Sequence, residues 1–299
     1  MARRQSGRPV HGWLVLDKPA GPSSAAMVAK ARWALAARKA GHAGTLDPAA
    51  TGVLAIALGE ATKTAAWATG RDKTYRFAVR WGAATATDDA EGAVVATSPL
   101  RPEPDAIRAA LPAFTGDILQ IPPAVSAVHV DGRRAYELAR AGEAPELAPR
   151  PLHVARLDLV EIPDTDTAVL EMTCGKGGYV RAVARDLGAA LGCLGHVAWL
   201  RRLRAGPFDL AAALDLATLE RLARSPDLDA RLLPVAAGLA GLPEIPVDAP
   251  AAAALSRGMA VPVDAPDAPE AWTSAASRPV ALGRVAAGAF HPARVFVFD

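Results

Sequence analysis

Residues 41–54 read GHAGTLDPAATGVL, a loop with two glycines and a carboxylate that leads into an alanine-rich apolar stretch. The glycines let the backbone come close to a ligand, and His42 is suited to stacking or to contacting a phosphate. Asp47 followed by Pro48 also suits the start of a helix, because aspartate caps a first turn and proline fits its first position. The two interpretations are compatible. Asp47 is therefore a candidate catalytic carboxylate at the tip of a ligand-binding loop.

Charge is unevenly distributed along the 299 residues, although the formal net charge is only +2. Residues 1–40 hold eight basic side chains and one acidic one, and residues 176–204 hold six and one. Residues 205–270 hold four basic and ten acidic side chains. Two basic blocks in a balanced chain suit a polyanionic partner bound to one face. Solvated helix faces are the alternative explanation.

Composition predicts a folded protein in the cytoplasm. Hydrophobic residues make up 51% of the chain, enough for a sizeable core, and the length suits one large or two modest domains. The apolar stretch Trp13–Leu16 ends at Asp17, too soon for a secretory signal or a membrane span. Cys174 and Cys193 are too few for a disulfide framework or a cysteine zinc site.

Hydrophobic periodicity predicts interspersed strands and helices without a strict βαβ repeat, which favours an α+β fold with a mixed sheet. The predicted strands are His11–Asp17, Thr74–Trp81, Ala124–Val130, Leu152–Glu161, Thr167–Cys174 and Gly195–Arg204. The predicted helices run from Ser23 or Ser24 to about Lys39, Pro104–Phe114, Arg133–Arg140 and Val180–Leu191. Prolines then punctuate short apolar pieces, so we expect a linker near 225–245 and a small β-rich module after it.

Several cofactor and catalytic motifs are absent from the sequence. It contains no GxxxxGK[ST] loop, no HExxH, no CxxC and no GxSxG. The glycines at 175–178 do not match the dinucleotide fingerprint either. Nucleotide hydrolysis, zinc chemistry, serine acyl transfer and nicotinamide chemistry therefore lack their usual support, and we expect neither a cofactor nor a metal.

A series of segments resembles, in family order, the bacterial tRNA pseudouridine 55 synthase family, and together they cover about 200 residues. The segments are GWLVLDKP (12–19), GHAGTLDPAATGVL (41–54), LGEATK (58–63), DKTYR (72–76), GRRAYELAR (132–140), GKGGYVR (175–181) and residues 191–203.

The resemblance implies a mixed-sheet catalytic domain over 10–225 and a PUA-like RNA-binding module over 243–299. It implies an isomerase that flips a uridine out of the T-loop of tRNA and converts it, at position 55, to pseudouridine. The partner would be tRNA, bound by a monomer that needs no protein partner.

Site residues carry over position by position. Asp47 matches the essential aspartate, which adds to C1′, adds to C6 or removes the C2′ proton so that the uracil can detach and rejoin through C5. Arg181 matches the arginine that pairs with it, although by itself it would read as a surface charge. Tyr75 matches the tyrosine whose ring stacks on the target base, although by itself it would read as a core aromatic.

Further residues are implied to contact the RNA. Tyr179 and Leu200 match residues that line the base pocket, and His42 matches a histidine that holds the opened RNA loop. Lys18 matches a motif lysine that is either structural support or a phosphate contact. The chain departs from the family at Val125, where a tyrosine is usual, and at His129, where a lysine is usual.

Three rival functions remain at this stage. A guide-dependent synthase of RNA–protein particles shares the aspartate loop, and modification of naked tRNA by the purified protein would separate it. An RNA-binding protein with vestigial catalysis would bind tRNA but make no product. A small-molecule α/β enzyme would show no salt-sensitive RNA binding.

Overall fold

The computed structural model describes residues 7–126, 128–130, 133–134, 138 and 147–298. Its strands are β1 Gly12–Lys18, β2 Ala40–His42, β3 Thr51–Leu58, β4 Lys73–Trp81, β5 Ala83–Thr85, β6 Val94–Thr97, β7 Gly116–Gln120, β8 His129–Val130, β9 Arg133–Arg134, β10 Arg150–Asp164, β11 Thr167–Cys174, β12 Gly195–Ala205, β13 Phe208–Asp209, β14 Glu244–Pro246, β15 Val261–Pro262, β16 Ala268–Ala275, β17 Arg278–Ala286 and β18 Ala289–Val295. Its α-helices are α1 Ser24–Ala34, α2 Ala65–Gly70, α3 Pro104–Ala110, α4 Val180–Ala190, α5 Leu216–Arg221, α6 Pro226–Asp229 and α7 Ala249–Ser256.

Contacts divide the chain into two compact units. The first unit comprises Met1–Leu46, Leu54–Thr69 and Pro207–Asp299, and the second comprises Asp47–Val53 and Gly70–Gly206. The domain bounds 10–225 and 243–299 stay predictions, because each of these units combines separate stretches of the chain and tests neither bound.

The second unit is built on a mixed sheet. Strand β12 pairs antiparallel with β4 and, through Arg201 and Arg202, parallel with the start of β3. Strand β4 pairs with β11, β11 with β10, and β10 with β7, all antiparallel. The expected α+β class is therefore confirmed.

Alternation of apolar and charged residues explains the central strand β4. Tyr75, Phe77 and Val79 are buried, whereas Arg76 and Arg80 are exposed, as a strand with one covered face requires. Helix α4 covers this face with an apolar stripe at helical spacing that includes Val180, Val183, Ala184 and Leu187.

The first unit contains β1, which is apolar from Trp13 to Leu16, ends in Asp17 and Lys18, and is buried along nearly its whole length. Helix α1 follows, capped by the Ser23 hydroxyl, which accepts from the Ala26 N–H at 3.1 Å. The helix ends at Ala34, because Ala36 takes a left-handed conformation with φ 49°. The prediction that it extends to about Lys39 was wrong.

The same unit contains a β-rich C-terminal module, as the sequence predicted. Five strands lie in the order β14-β16-β17-β18-β15, with β14 and β16 parallel and the other pairs antiparallel. Helix α7 contributes Leu255 to the module core, which also contains Val285 and Phe290.

Three other predictions need correction. Residues 121–126 form no strand, and only His129–Val130 of the strand predicted over 124–130 is one. Arg133–Arg134 is a strand paired with it rather than the start of a helix, and most of 135–140 lies outside the described residues. The predicted linker at 225–245 instead contains α6 and buries Leu228 and Val235.

Candidate active site

Asp47 and Arg181 form an ion pair within the second unit, with 3.1 Å between Asp47 Oδ2 and Arg181 Nη2. The Asp47 side chain is 46% exposed, whereas that of Arg181 is 9% exposed. Residues 45–50 contain no helix: the Asp47 carbonyl accepts from the Ala50 N–H at 3.1 Å, and β3 follows. The helix-start interpretation of Asp47-Pro48 was wrong, and the carboxylate instead lies on an accessible turn.

Arg181 is fixed by contacts beyond Asp47. It lies in the first turn of α4 and donates from Nη1 to the Thr87 carbonyl at 2.9 Å and from Nη2 to the Val125 carbonyl at 3.0 Å. The Asp89 carboxylate lies 3.5 Å from Nη1. Because Val125 contributes its backbone, the departure from the usual tyrosine leaves this contact intact. The His129 side chain lies outside the described residues.

Sequence reasoning missed Asp89. The only indication was the acidic turn over residues 85–91, which carried no assigned role. Asp89 is held by the Thr87 hydroxyl and by the Glu91 N–H, 3.1 Å from Oδ1. The Thr85 hydroxyl donates to the Asp89 carbonyl at 2.7 Å. Asp89 thus presents a preoriented carboxylate to Arg181.

Tyr75 lies on β4 with only 8% of its surface exposed, and burial raises the pKa of its hydroxyl above the ordinary value. Arg202, its register partner on β12, is the positive charge that opposes part of this rise in the Tyr75 pKa. The Arg202 side chain is buried and donates from Nε to the Val53 carbonyl at 2.8 Å. Sequence reasoning missed Arg202, because a basic residue in a basic block gives no sign of burial.

Tyr179 and Leu200 also lie in the second unit, and both are partly exposed. Tyr179 immediately precedes α4, and the Gln120 amide holds its backbone by accepting from the Tyr179 N–H at 2.9 Å and donating to its carbonyl at 3.1 Å. Leu200 packs against the core cluster that contains Tyr75, and its carbonyl accepts from the Thr51 hydroxyl at 3.4 Å. Within the unit, contacts join Asp47 to Arg181, and Leu200 to the cluster that contains Tyr75.

His42 and Lys18 belong to the first unit. His42 is partly buried at the end of β2, opposite Ile56 of β3. Lys18 is completely buried, and its Nζ donates to the Pro19 carbonyl at 2.9 Å. In the same unit the Ser24 hydroxyl accepts from the Leu46 N–H at 2.8 Å and donates to the Leu46 carbonyl at 2.9 Å, which fixes the residue before Asp47.

A basic cleft of about 180 Å³ lies entirely within the first unit. Its walls include Arg8, Arg38, Lys39 and His11, with Glu60 as the acidic member. His11 Nδ1 accepts from the Glu60 N–H at 3.1 Å, and the Glu60 carboxylate binds the Lys63 ammonium at 2.5 Å. The cleft therefore carries a surplus of positive charge.

The described residues contain neither a metal-binding cluster nor a membrane-spanning helix. Ranges 7–126 and 147–298, with the short pieces between them, contain no group of three or more histidine, cysteine or acidic side chains that could hold a metal ion. No helix in the described part of the chain has the length and apolar character to cross a membrane.

Solved structures share this fold. One is a chain of an H/ACA RNP bound to a substrate RNA containing 2'-deoxyuridine, 22% identical, with a TM-score of 0.74 over 99% of this chain and 92% of that one. Another comes from an archaeal box H/ACA sRNP complex, 24% identical, with a TM-score of 0.74 over 99% and 93%. At such identities the similarity establishes the fold.

Two family models place the chain in the class of pseudouridine synthases, RNA-modifying isomerases. The sequence matches the TruB family pseudouridylate synthase N-terminal domain over residues 32–180 and the tRNA pseudouridylate synthase B C-terminal domain over residues 181–240. The chain belongs to the TruB family and is a pseudouridine synthase.

Two curated relatives extend the match to the whole chain. A tRNA pseudouridine synthase B of Cereibacter sphaeroides is 57% identical over 99% of both chains. One of Dinoroseobacter shibae is 58% identical over 99% of this chain and 98% of its own. The family named by the sequence motifs is therefore confirmed.

Proposed function

We propose that this synthase converts the uridine at position 55 in the T-loop of tRNA to pseudouridine. The observation that carries the proposal is the partly exposed Asp47 carboxylate held by the buried Arg181. The relatives are named as tRNA pseudouridine synthases, which supports tRNA as the substrate. The T-loop position rests on the resemblance of the motifs.

The proposed mechanism begins at Asp47. Arg181 holds one carboxylate oxygen, while the half-exposed side chain can reach a nucleotide. The carboxylate labilises the bond between C1′ and N1 by adding to C1′, adding to C6 or taking the C2′ proton. The uracil rotates and C5 bonds to C1′. The C5 hydrogen leaves as a proton and N1 gains one, so that atoms balance without a co-reactant.

The target uridine must first leave the RNA stack. Flipping a base costs a few kcal/mol, and stacking on an aromatic ring returns about 1–3 kcal/mol. We assign Tyr75 as the stacking ring and Tyr179 and Leu200 as the walls of the base pocket. Burial raises the pKa of the Tyr75 hydroxyl, which suits an aromatic platform next to a carboxylate. His42 is proposed to hold the RNA loop open.

Backbone phosphates are proposed to bind the basic blocks at 1–40 and 176–204. The first block supplies the basic residues of the cleft wall, among them Arg38 and Lys39. Such contacts predict an affinity that falls as salt rises. The complete burial of Lys18 favours structural support over a phosphate contact for this residue.

Tritium release tests the proposal directly. Transcribed tRNA carrying uridine labelled at C5 is incubated with the parent protein or with Asp47→Asn, in the absence of any guide RNA or other protein. About one equivalent released by the parent and none by the variant is expected. A tRNA with cytidine at position 55 should release nothing. Release from that tRNA would contradict the position, and no release by the parent would contradict the function.

We further infer that the protein acts in the cytoplasm as a monomer without a protein partner. Light scattering measures the mass of the active protein, alone and bound to tRNA, and so checks the monomeric state. One protein mass per tRNA is expected, whereas a dimer mass at working concentration would overturn the inference.

A further inference from the structure

We propose that Arg185 and Asp88 are positioning residues for the catalytic ion pair, an inference that rests on the proposed function. They would act by holding the turn at residues 85–92, which carries two contacts of Arg181. Neither residue was singled out by the sequence motifs.

Helix α4 presents two arginines to the same neighbours. Residues four positions apart lie on one helix face, so Arg185 follows Arg181 one turn further along. Arg181 contacts the turn at Thr87 and Asp89. Arg185 contacts the same turn at Asp88, with 3.0 Å between Nη1 and Oδ2.

Both arginines also donate hydrogen bonds to backbone carbonyls of residues 121–125. Arg181 donates to the Val125 carbonyl, and Arg185 Nη2 donates to the Ile121 carbonyl at 2.8 Å. Arg185 Nε donates to Asp186 on the helix itself at 2.8 Å, which orients its guanidinium. The side chains of Arg185 and Asp88 are 28% and 15% exposed. The pair is thus more sheltered than the usual surface ion pair, which contributes little.

Asp88 lies between Thr87 and Asp89, the two residues of the turn that Arg181 contacts, and its backbone is strained. Its φ of 59° lies in the left-handed region, which aspartate and asparagine tolerate better than most residues. Its carbonyl accepts from the Val197 N–H at 3.0 Å, which ties the turn to β12. Arg185 supplies the side-chain restraint on the same residue. A change in the Asp88 geometry would move both the Thr87 carbonyl and the Asp89 carboxylate relative to Arg181.

The test compares Asp88→Asn, Arg185→Gln and the matched control Asp186→Asn in single-turnover pseudouridine formation at saturating enzyme. Asparagine preserves the left-handed conformation at 88, so folding is retained. Asp186→Asn removes the same charge from the same arginine without touching the turn. We expect the first two variants to slow the reaction about 10- to 100-fold and the control to match the parent. Asp88→Asn, which removes no basic charge, should also keep its tRNA affinity within about 2-fold of the parent.

A second measurement separates positioning from general stability. In an Asp89→Asn background, where one of the positioned contacts is already lost, Asp88→Asn should slow the reaction less than it does in the parent. An undiminished effect in that background would overturn the proposal. So would an unchanged rate for Asp88→Asn, or an equal loss for Asp186→Asn. A parent protein without activity would instead contradict the proposed function.

Discussion

Arg202 and Tyr75 lie opposite each other on antiparallel strands, and the charge of the buried guanidinium opposes the rise that burial causes in the pKa of the tyrosine hydroxyl. The same guanidinium holds the Val53 carbonyl, in the strand that follows the Asp47 turn. One buried cation therefore fixes both the proposed base-stacking ring and the backbone that leads away from the proposed catalytic carboxylate.

Tyr75→Phe is expected to destabilise the protein by about 1–3 kcal/mol, because it removes the hydroxyl that lies opposite the buried Arg202 guanidinium and replaces it with an apolar edge. Urea unfolding measures the change. Tyr179→Phe is the control, since the Tyr179 hydroxyl has no hydrogen-bond partner among the described residues and its ring is partly exposed. The control should lie within about 0.5 kcal/mol of the parent. Equal effects would show that the Arg202 contact contributes nothing.

Arg181→Lys should lower the single-turnover rate by about 100-fold or more. Lysine keeps the charge, but its single ammonium cannot reproduce a planar fork that reaches Asp47 and two carbonyls at once. Tritium release under enzyme excess measures the rate. Arg108→Lys, in an exposed pair with Asp105 on α3, is the control and should leave the rate unchanged. A near-parental rate for Arg181→Lys would show that charge alone suffices.

Gly52→Ala is expected to cost several kcal/mol or to prevent folding. A Cβ at this position would lie 2.2 Å from the Arg202 carbonyl oxygen, and the φ of +99° disfavours any side chain. Gly41→Ala, in the same glycine-bearing segment, has no atom within 4 Å of its added Cβ and should be nearly neutral. Thermal unfolding compares the two. Similar melting temperatures would contradict the close approach of β3 and β12.

Stability should depend on pH through Lys73, whose burial lowers the pKa of its ammonium from 10.5 to about 8. Between these values the unfolded chain binds more protons than the folded one, so this contribution to stability increases as pH rises. The parent should gain about 1–3 kcal/mol relative to Lys73→Met between pH 7.5 and 10. Denaturant unfolding at several pH values measures this.

The exposed Lys39 supplies the control for that experiment, because it is not among the groups that shift the Lys73 pKa. The parent should gain more stability relative to Lys73→Met than relative to Lys39→Met across the same pH range. Equal gains for the two variants would mean that the Lys73 ammonium titrates alike in the folded and unfolded chains.

Much of the second unit could be predicted from local pattern. The alternation of apolar and charged residues around Tyr75 predicted β4, and the helical spacing of apolar residues after Tyr179 predicted α4. Each element buries one face, so its apolar residues recur with the period of a strand or of a helix. The end of α1 could not be predicted, since the left-handed Ala36 that stops it has no sequence mark comparable to a glycine or proline.

The sequence by itself determined the family, the strand and helix content of the sheet unit, and the candidate carboxylate, because these are read from local motifs and from the period of apolar residues. Only the tertiary structure decided which charges meet. Asp89 lies far from Arg181 in the sequence, and the fold brings the two charges together. Arg202 looks like any other residue of a basic block, and only strand register and burial place it opposite Tyr75. An ion pair or a buried hydrogen bond depends on distances of a few ångströms, which no local sequence pattern encodes.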